Sequence, residues 1–323
     1  MKSKYFFAAL ALVLAGLSMR AYSQDYPTRP IRLLVGYSPG GVPDITARLF
    51  SSHLATVLGQ GITIDNRSGA AGQVAFQELM RAAPDGYSIM LTDNSQYAIT
   101  PLMRPGVYDP QKDISPVCVM AAGNTLLAVR AEFPARNFQE LVEMAKAKPG
   151  TIRYASLGIG SFHHLYVESV ANAFGIQLVH VPYKGGAAQT QAAMTGEVEI
   201  ATAALPTSQG FVKAGKLRYL VISLAERSRL APDVPSMKDV GAPQIDFISL
   251  MGIAGPAGLP KPIIDRLSSA CAKVTQIPEY VAAASSATGG DALYRSPAEF
   301  AGIIRDDLAK YARAVKVSGI KPE

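Results

Sequence analysis

The sequence predicts an α/β protein of two similarly built lobes, joined by two crossing strands and enclosing a cleft. Three observations carry this reading. Short apolar runs that read as buried strands alternate with segments of helical period. The same order of elements occurs twice along the chain. Two long, mostly apolar stretches, 117–130 and 245–254, fall where the chain would pass from one copy to the other and back. The length of 323 residues accommodates about two domains of roughly 150 residues each.

The chain opens with an address. Lys2 and Lys4 precede an apolar run over 5–19, and Ala21-Tyr22-Ser23 sets a small-x-small pattern before Gln24. This is the three-part pattern of a secretory signal peptide, and the run is too short to span a bilayer comfortably. No cysteine precedes Cys118, which excludes a lipoprotein anchor. A leader over 1–23 and a soluble chain exported to a bacterial periplasm are expected.

The first copy of the repeat begins at 31–37 (IRLLVGY), a strand ended by Ser38-Pro39-Gly40-Gly41. A helix follows over 44–58, with Ile45, Leu49, Leu54 and Leu58 as its apolar positions and Gly59 closing it. Strand 62–66, helix 73–82 and strand 88–93 complete a run of βαβ units that implies a parallel sheet. The second copy has strand 152–156, the Gly-rich loop 158–161, helix 162–174, strand 178–183, helix 187–195, strand 199–204, helix 207–214 and strand 217–223. Local sequence repeats as well: Gly69-Ala70-Ala71-Gly72-Gln73 and Gly185-Gly186-Ala187-Ala188-Gln189 each follow the second strand of their copy. Helices at 263–276 and 298–315 would pack back on the first lobe. The expected boundaries are 1–23 for the leader, 24–122 plus 250–323 for the first lobe, and 123–249 for the second.

Composition narrows the function. Hydrophobic residues are 49% and charged residues 17%, the reverse of a disordered chain. The net charge of +6 falls to +3 once Lys2, Lys4 and Arg20 leave with the leader, and no Lys/Arg run reaches four. Nucleic acid is therefore excluded as the expected partner. Cys118 lies in a strand-like run and Cys271 in a helix-like one. An oxidising compartment permits a disulfide, but a core of this size does not need one, and two buried thiols are expected.

Enzyme motifs fail in specific ways. Gly210-Phe211-Val212-Lys213-Ala214-Gly215-Lys216 approaches a phosphate-binding loop, but Leu217 stands where a magnesium-binding hydroxyl is required, and the segment precedes a strand. Gly158-x-Gly160-x-x-His163 lacks the third glycine of a dinucleotide fingerprint, and Pro182-Tyr183 ends the next strand without a ribose-binding acid. His53, His163, His164 and His180 are not spaced as metal ligands, because adjacent helical residues point about 100° apart. Ser161 beside His163 and His164 has neither a nucleophile elbow nor an evident third group. It reads better as a helix cap, with one histidine packed and the other facing the cleft. No cofactor and no metal are expected.

Two strand–glycine–helix junctions, 37–44 and 156–162, leave backbone N–H groups free at helix N-termini, where the helix dipole favours an anion. Facing each other across a cleft, they suit a carboxylate. Asp44 serves as a first-turn acid or contacts the ligand, directly or through water. Thr92-Asp93-Asn94-Ser95 ends the third strand and is placed to line the same cleft. Arg48 and Lys184 are weaker candidates. The candidate binding residues are Tyr37, Ser38, Pro39, Gly40, Gly41, Asp44, Asp93 and Ser95 in the first lobe, with Ser156, Gly158, Gly160, Ser161, His164 and Tyr183 in the second.

These residues also carry a resemblance. Tyr26-Pro27-x-x-Pro30-Ile31, Pro39-Gly40-Gly41-x-x-Asp44 with Ala47-Arg48, and Asn66-Arg67-x-Gly69-Ala70-x-Gly72 are similar to the tripartite tricarboxylate transporter substrate-binding proteins, the Bug family. So are Pro84-Asp85-Gly86-Tyr87, Lys112-Asp113, Gly158-x-Gly160-Ser161 with His164-Leu165, Pro182-Tyr183-Lys184-Gly185 and Asp233-Val234-Pro235-Ser236. The resemblance runs in order through the chain after the leader. It implies a two-lobed periplasmic solute-binding fold of type II, α/β in class, with two hinge-crossing strands. It further implies a small carboxylate gripped by backbone groups and ordered waters from one loop per lobe, here 38–44 and 156–161. Tyr37 stands where the family commonly has Phe, and Pro43, where a small or hydroxyl residue is common, removes one N–H beside Asp44. Membrane transporter subunits are the implied partners, and a monomer is expected. A secreted enzyme of the same fold, or a sensor component uncoupled from uptake, stays open as the alternative.

Overall fold

The computed structural model describes residues 26–320, so the expected leader lies outside the described residues. Two mixed sheets organise the chain. In the first, β1 (Ile31–Val35) lies between β2 (Ile62–Asn66) and β3 (Ser88–Asp93), all parallel. Helix α1 (Val42–Leu58) links β1 to β2, and α2 (Gln73–Met80) links β2 to β3. Four of the five β1 side chains are buried, as expected of a strand covered on both faces. Helix α1 turns Ala47, Phe50, Leu54 and Leu58 inward at helical spacing. A π-helical turn (Ser95–Ile99) follows β3 and leads into the short α3 (Thr100–Met103).

The chain then runs along β4 (Ile114–Gly123), crosses at Asn124 and Thr125, and enters the second sheet as β5 (Leu126–Arg130). The apolar stretch 117–130 is thus two strands in two sheets, broken at Gly123-Asn124-Thr125. After α4 (Phe138–Ala147) come β6 (Ile152–Ser156), α5 (Phe162–Phe174), β7 (Leu178–Pro182), α6 (Gly186–Thr195), β8 (Ile200–Ala203), α7 (Leu205–Lys213) and β9 (Leu217–Ile222). The spatial order of this sheet is β7-β6-β8-β5-β9. Strands β6, β7 and β8 are parallel, whereas β5 runs antiparallel to both neighbours.

The segment after β9 stays on the second lobe: Phe247 N donates to Ser223 O, and the Phe247 ring packs on Phe162 and Tyr166. The chain returns at Ile248. Strand β10 (Ser249–Pro256) inserts antiparallel between β3 and β4. Helices α8 (Lys261–Val274) and α9 (Pro278–Thr288), edge strand β11 (Ala292–Arg295) and α10 (Pro297–Ser318) finish the chain. The first sheet is ordered β11-β4-β10-β3-β1-β2. The expected parallel sheets are therefore mixed, because each crossing strand enters its sheet against the βαβ direction.

Helix α10 begins with a reciprocal cap in which the Ser296 hydroxyl accepts from Glu299 N and the Glu299 carboxylate accepts from Ser296 N. It packs on β4 of the first lobe and on α5 of the second. Cys118 on β4 and Cys271 on α8 form a disulfide inside the first lobe. This corrects the expectation of two buried thiols. Both residues are buried, as read, but a strand and a helix distant in sequence bring them within bonding reach.

Candidate functional site

A cavity of about 300 Å³ lies between the lobes, within the range of small-ligand pockets. Its walls are the carboxyl ends of the parallel strands and the two crossings, the position at which open α/β sheets bind ligands. From the first lobe come Tyr37–Pro43 after β1, Asp93, Asn94 and Ser95 at the end of β3, Ser249 and Met251 of β10, and Thr288. Gly123, Asn124 and Thr125 line it at the first crossing. The second lobe adds Leu157, Phe162, His163, Lys184, Gly185, Gly186, Ala187, Gln189, Thr202, Ala204 and Thr207.

The 38–44 loop is held from behind. Asp44, 2% exposed, accepts Gly40 N at 2.9 Å and Arg48 Nε at 3.0 Å on one oxygen, and Asn66 Nδ2 at 2.9 Å on the other. Asn66 Nδ2 also donates to Tyr37 O. Burial works to raise the Asp44 carboxyl, but the hydrogen bonds from Arg48, Gly40 and Asn66 outweigh it and leave the group below its ordinary value. Asp44 therefore shapes the loop and does not line the cavity, whereas Tyr37, Ser38, Pro39, Gly40 and Gly41 do. Helix α1 starts at this loop with no side-chain cap, so its first N–H groups keep no intrahelical partner.

The second lobe departs from the sequence reading. The N–H groups of the 156–161 loop are largely spent within the protein. Gly158 N donates to Ser156 Oγ, Gly160 N to His164 Nδ1, and Ser161 N to Gly158 O. Ser161 caps α5 by accepting His164 N, as the sequence suggests. Phe162 N, at the start of α5, donates across the lobe boundary to Ser95 Oγ at 3.1 Å. Ser156, Gly158, Gly160, Ser161 and His164 consequently do not line the cavity. Tyr183 turns its hydroxyl to Glu197 and stays outside as well.

Two neighbours take their places. His164 packs inward, stacked on His180 at 4.1 Å between ring centroids, while His163 lines the cavity with its Nδ1 unpartnered. Burial lowers His163 to about 4, leaving a neutral imidazole at pH 7. The helix start that opens into the cavity is that of α6, with Lys184, Gly185, Gly186 and Ala187 in the wall and no side-chain cap at Gly185. The Gly185-Gly186 pair after β7 was the sequence signal for it, a third strand–glycine–helix junction. Asp93 and Ser95 line the cavity from the opposite lobe. Burial raises the Asp93 carboxyl, and hydrogen bonds from Tyr37, Gln96 and Ser95 only partly oppose this.

Two α/β lobes that close on a cavity at the carboxyl ends of their strands define a two-lobed solute-binding protein. The sequence model of the tripartite tricarboxylate transporter family receptors (TctC) matches residues 46–320, and the chain belongs to that family. A UPF0065 protein of Bordetella pertussis is 30% identical over 98% of this chain and 97% of its own length. A Rhodopseudomonas palustris protein solved with adipate superposes with a TM-score of 0.87 at 28% identity, covering 93% of this chain and 100% of that one. MatC of the same organism, solved with bound malate, superposes at 0.83 with 25% identity, covering 90% of this chain and 100% of that one.

Proposed function

We propose that this chain is a periplasmic solute-binding protein that captures a small carboxylate between its lobes, without chemical turnover, and delivers it to the membrane subunits of a tripartite tricarboxylate-type transporter. One observation carries the reading: the uncapped starts of α1 and α6, one per lobe, open into the same cavity, and Lys184 stands beside the second. The lobes of this reading are 24–122 plus 250–323 and 123–249. The adipate- and malate-bound relatives support the ligand class. Export by a leader over 1–23 places the protein in the periplasm.

The energetics are sufficient. Micromolar affinity needs about 8 kcal/mol, and hydrogen bonds to a charged group contribute roughly 1.5–3 kcal/mol each. Four to six such bonds, less ordering costs, reach it on the order of micromolar strength without an arginine clamp. The test is thermal unfolding of ligand-stripped protein across a panel of mono- and dicarboxylates. Stabilisation of about 2.7 kcal/mol is expected at a hundred times Kd, with the acid recovered unchanged by NMR. Silence to every acid, alongside a response to sugars or metal cations, would overturn the reading.

A further inference from the structure

The cavity that should accept an anion carries an acid in its wall. Asp93 is 7% exposed and sits at the end of β3. Its Oδ2 accepts the Tyr37 hydroxyl at 2.6 Å, and its Oδ1 accepts Ser95 N at 2.9 Å and Gln96 N at 3.4 Å. No ion pair neutralises it among the described residues. Asn124, at the first crossing, donates its Nδ2 to Gly289 O at 2.7 Å, which orients the amide. That leaves Asn124 Oδ1 buried and unpartnered in a residue that lines the same cavity. Both groups are acceptors. The one phenol that could donate to a ligand at this end, Tyr37, is already committed to Asp93. Lys184 and the start of α6 lie on the other lobe, and the start of α1 shares the first-lobe wall with Asp93.

A plain carboxylate satisfies only half of this arrangement. Its oxygens suit Lys184 and the N–H groups at the starts of α1 and α6, but it has no hydrogen to offer Asp93 or Asn124 Oδ1. A plain dicarboxylate would bring a second negative charge towards a buried carboxylate, where low polarity magnifies repulsion. Asn124 Oδ1 is costly to leave unpaired and the buried charge of Asp93 costly to leave without a counterpart, and a site built to bond a donor rejects analogues that lack it. We propose that the ligand is a small acid that also bears a hydrogen-bond donor, an ammonium or a hydroxyl group, and that Asp93 is the residue that selects for it. This rests on the proposed capture of a carboxylate and narrows its class.

Calorimetry at pH 7.5 with two matched series tests the inference: succinate, malate and aspartate, and butyrate, 2-hydroxybutyrate and 2-aminobutyrate. In at least one series the hydroxy or amino acid is expected to bind at least tenfold tighter than the unsubstituted acid, and the stronger of the two identifies the donor. In Asp93→Asn, checked for fold by circular dichroism, that preference should fall below threefold. If unsubstituted acids bind as tightly as their substituted partners in the unaltered protein, the inference is overturned while carboxylate capture stands. The same follows if Asp93→Asn keeps the full preference. If no acid binds, carboxylate capture fails and this inference with it. Should Asp93→Asn not fold, the two series in the unaltered protein still decide.

Discussion

Ser95 Oγ, at the end of a first-lobe strand, accepts the Phe162 N–H that opens a second-lobe helix. The free helix start that an anion would seek is thereby occupied by the opposite lobe. The bond is a clasp between lobes, one of several contacts that span the cleft.

Removal of that hydroxyl is the most direct test. Ser95→Ala should cost the closed form about 1 kcal/mol, the net worth of a single hydrogen bond. Ligand affinity should drop about fivefold, and small-angle scattering of the unliganded variant should show a larger radius of gyration. Unchanged scattering and unchanged affinity would assign the bond no part in closure.

Gly160 offers a second handle on closure. Its φ of +71° lies in the left-handed region, and a Cβ there would come 3.2 Å from Met103 Cβ and Cγ on the first lobe. Gly160→Val should lower affinity at least tenfold, which is about 1.4 kcal/mol. The left-handed backbone alone costs roughly 1–2 kcal/mol for a residue with a side chain. Adding Met103→Ala to Gly160→Ala should recover part of the loss in affinity, as read by calorimetry. Equal losses with and without Met103→Ala would put the whole effect in the backbone.

The disulfide predicts a loss of stability that leaves binding intact. Replacing Cys118 and Cys271 with alanine should reduce unfolding stability by about 2–4 kcal/mol, because the link closes a long loop of unfolded chain. Both residues belong to the first-lobe core, away from the cavity wall. Affinity should stay within twofold while the urea midpoint falls.

Acid should weaken the fold through its histidines. Burial holds His163 and His180 at about 4, and burial with the neighbouring His180 holds His164 at about 3. An unfolded imidazole titrates at about 6.5. Between these values the unfolded chain binds more protons, so this stability is complete above about pH 6.5 and is lost as pH falls towards 4 and 3. The raised carboxyls of Asp93, Glu168 and Asp307 act in the opposite sense, gaining protons first in the folded state. The histidine share is therefore read by difference. His180→Gln should lose less stability than the unaltered protein between pH 6.5 and 4.5 in urea titrations, and equal slopes would contradict the assignment.

The alternation of strand and helix was legible because apolar period is a local property, and Pro39-Gly40-Gly41 follows β1 just where the cavity begins. The misreadings share a different cause. A glycine count cannot tell whether an N–H is free: Ser156, Gly158 and His164 consume those of the 156–161 loop, and Ser95, distant in sequence, takes that of Phe162. Cys118 and Cys271 each look like ordinary core residues until a helix is laid across a strand. The histidine at the cavity differs from the one expected by a single position, one step of helix rotation. Helix α4 carried a readable start, Asn137 with Glu140 three residues on, but lies outside the repeat that guided the reading. Tertiary pairing also sets the surroundings of Asp44, whose two oxygens are taken by Arg48 and Asn66 behind the loop, a choice between its two sequence readings that local pattern could not supply.

The two sheets differ in how soon they can be completed as the chain is made. The second uses strands contiguous in sequence, and its last, β9, ends at Ile222. The first must leave a gap between β3 and β4 until β10 arrives at Ser249–Pro256, and it receives its edge, β11, only at Ala292–Arg295. During synthesis or export, the lobe begun first is therefore the lobe finished last. A chain cut short before β10 would present an unfilled slot between two strands, a ready template for mispairing. The thiol of Cys118 must also wait through the whole second lobe for its partner, so oxidation reports the return of the chain to the first.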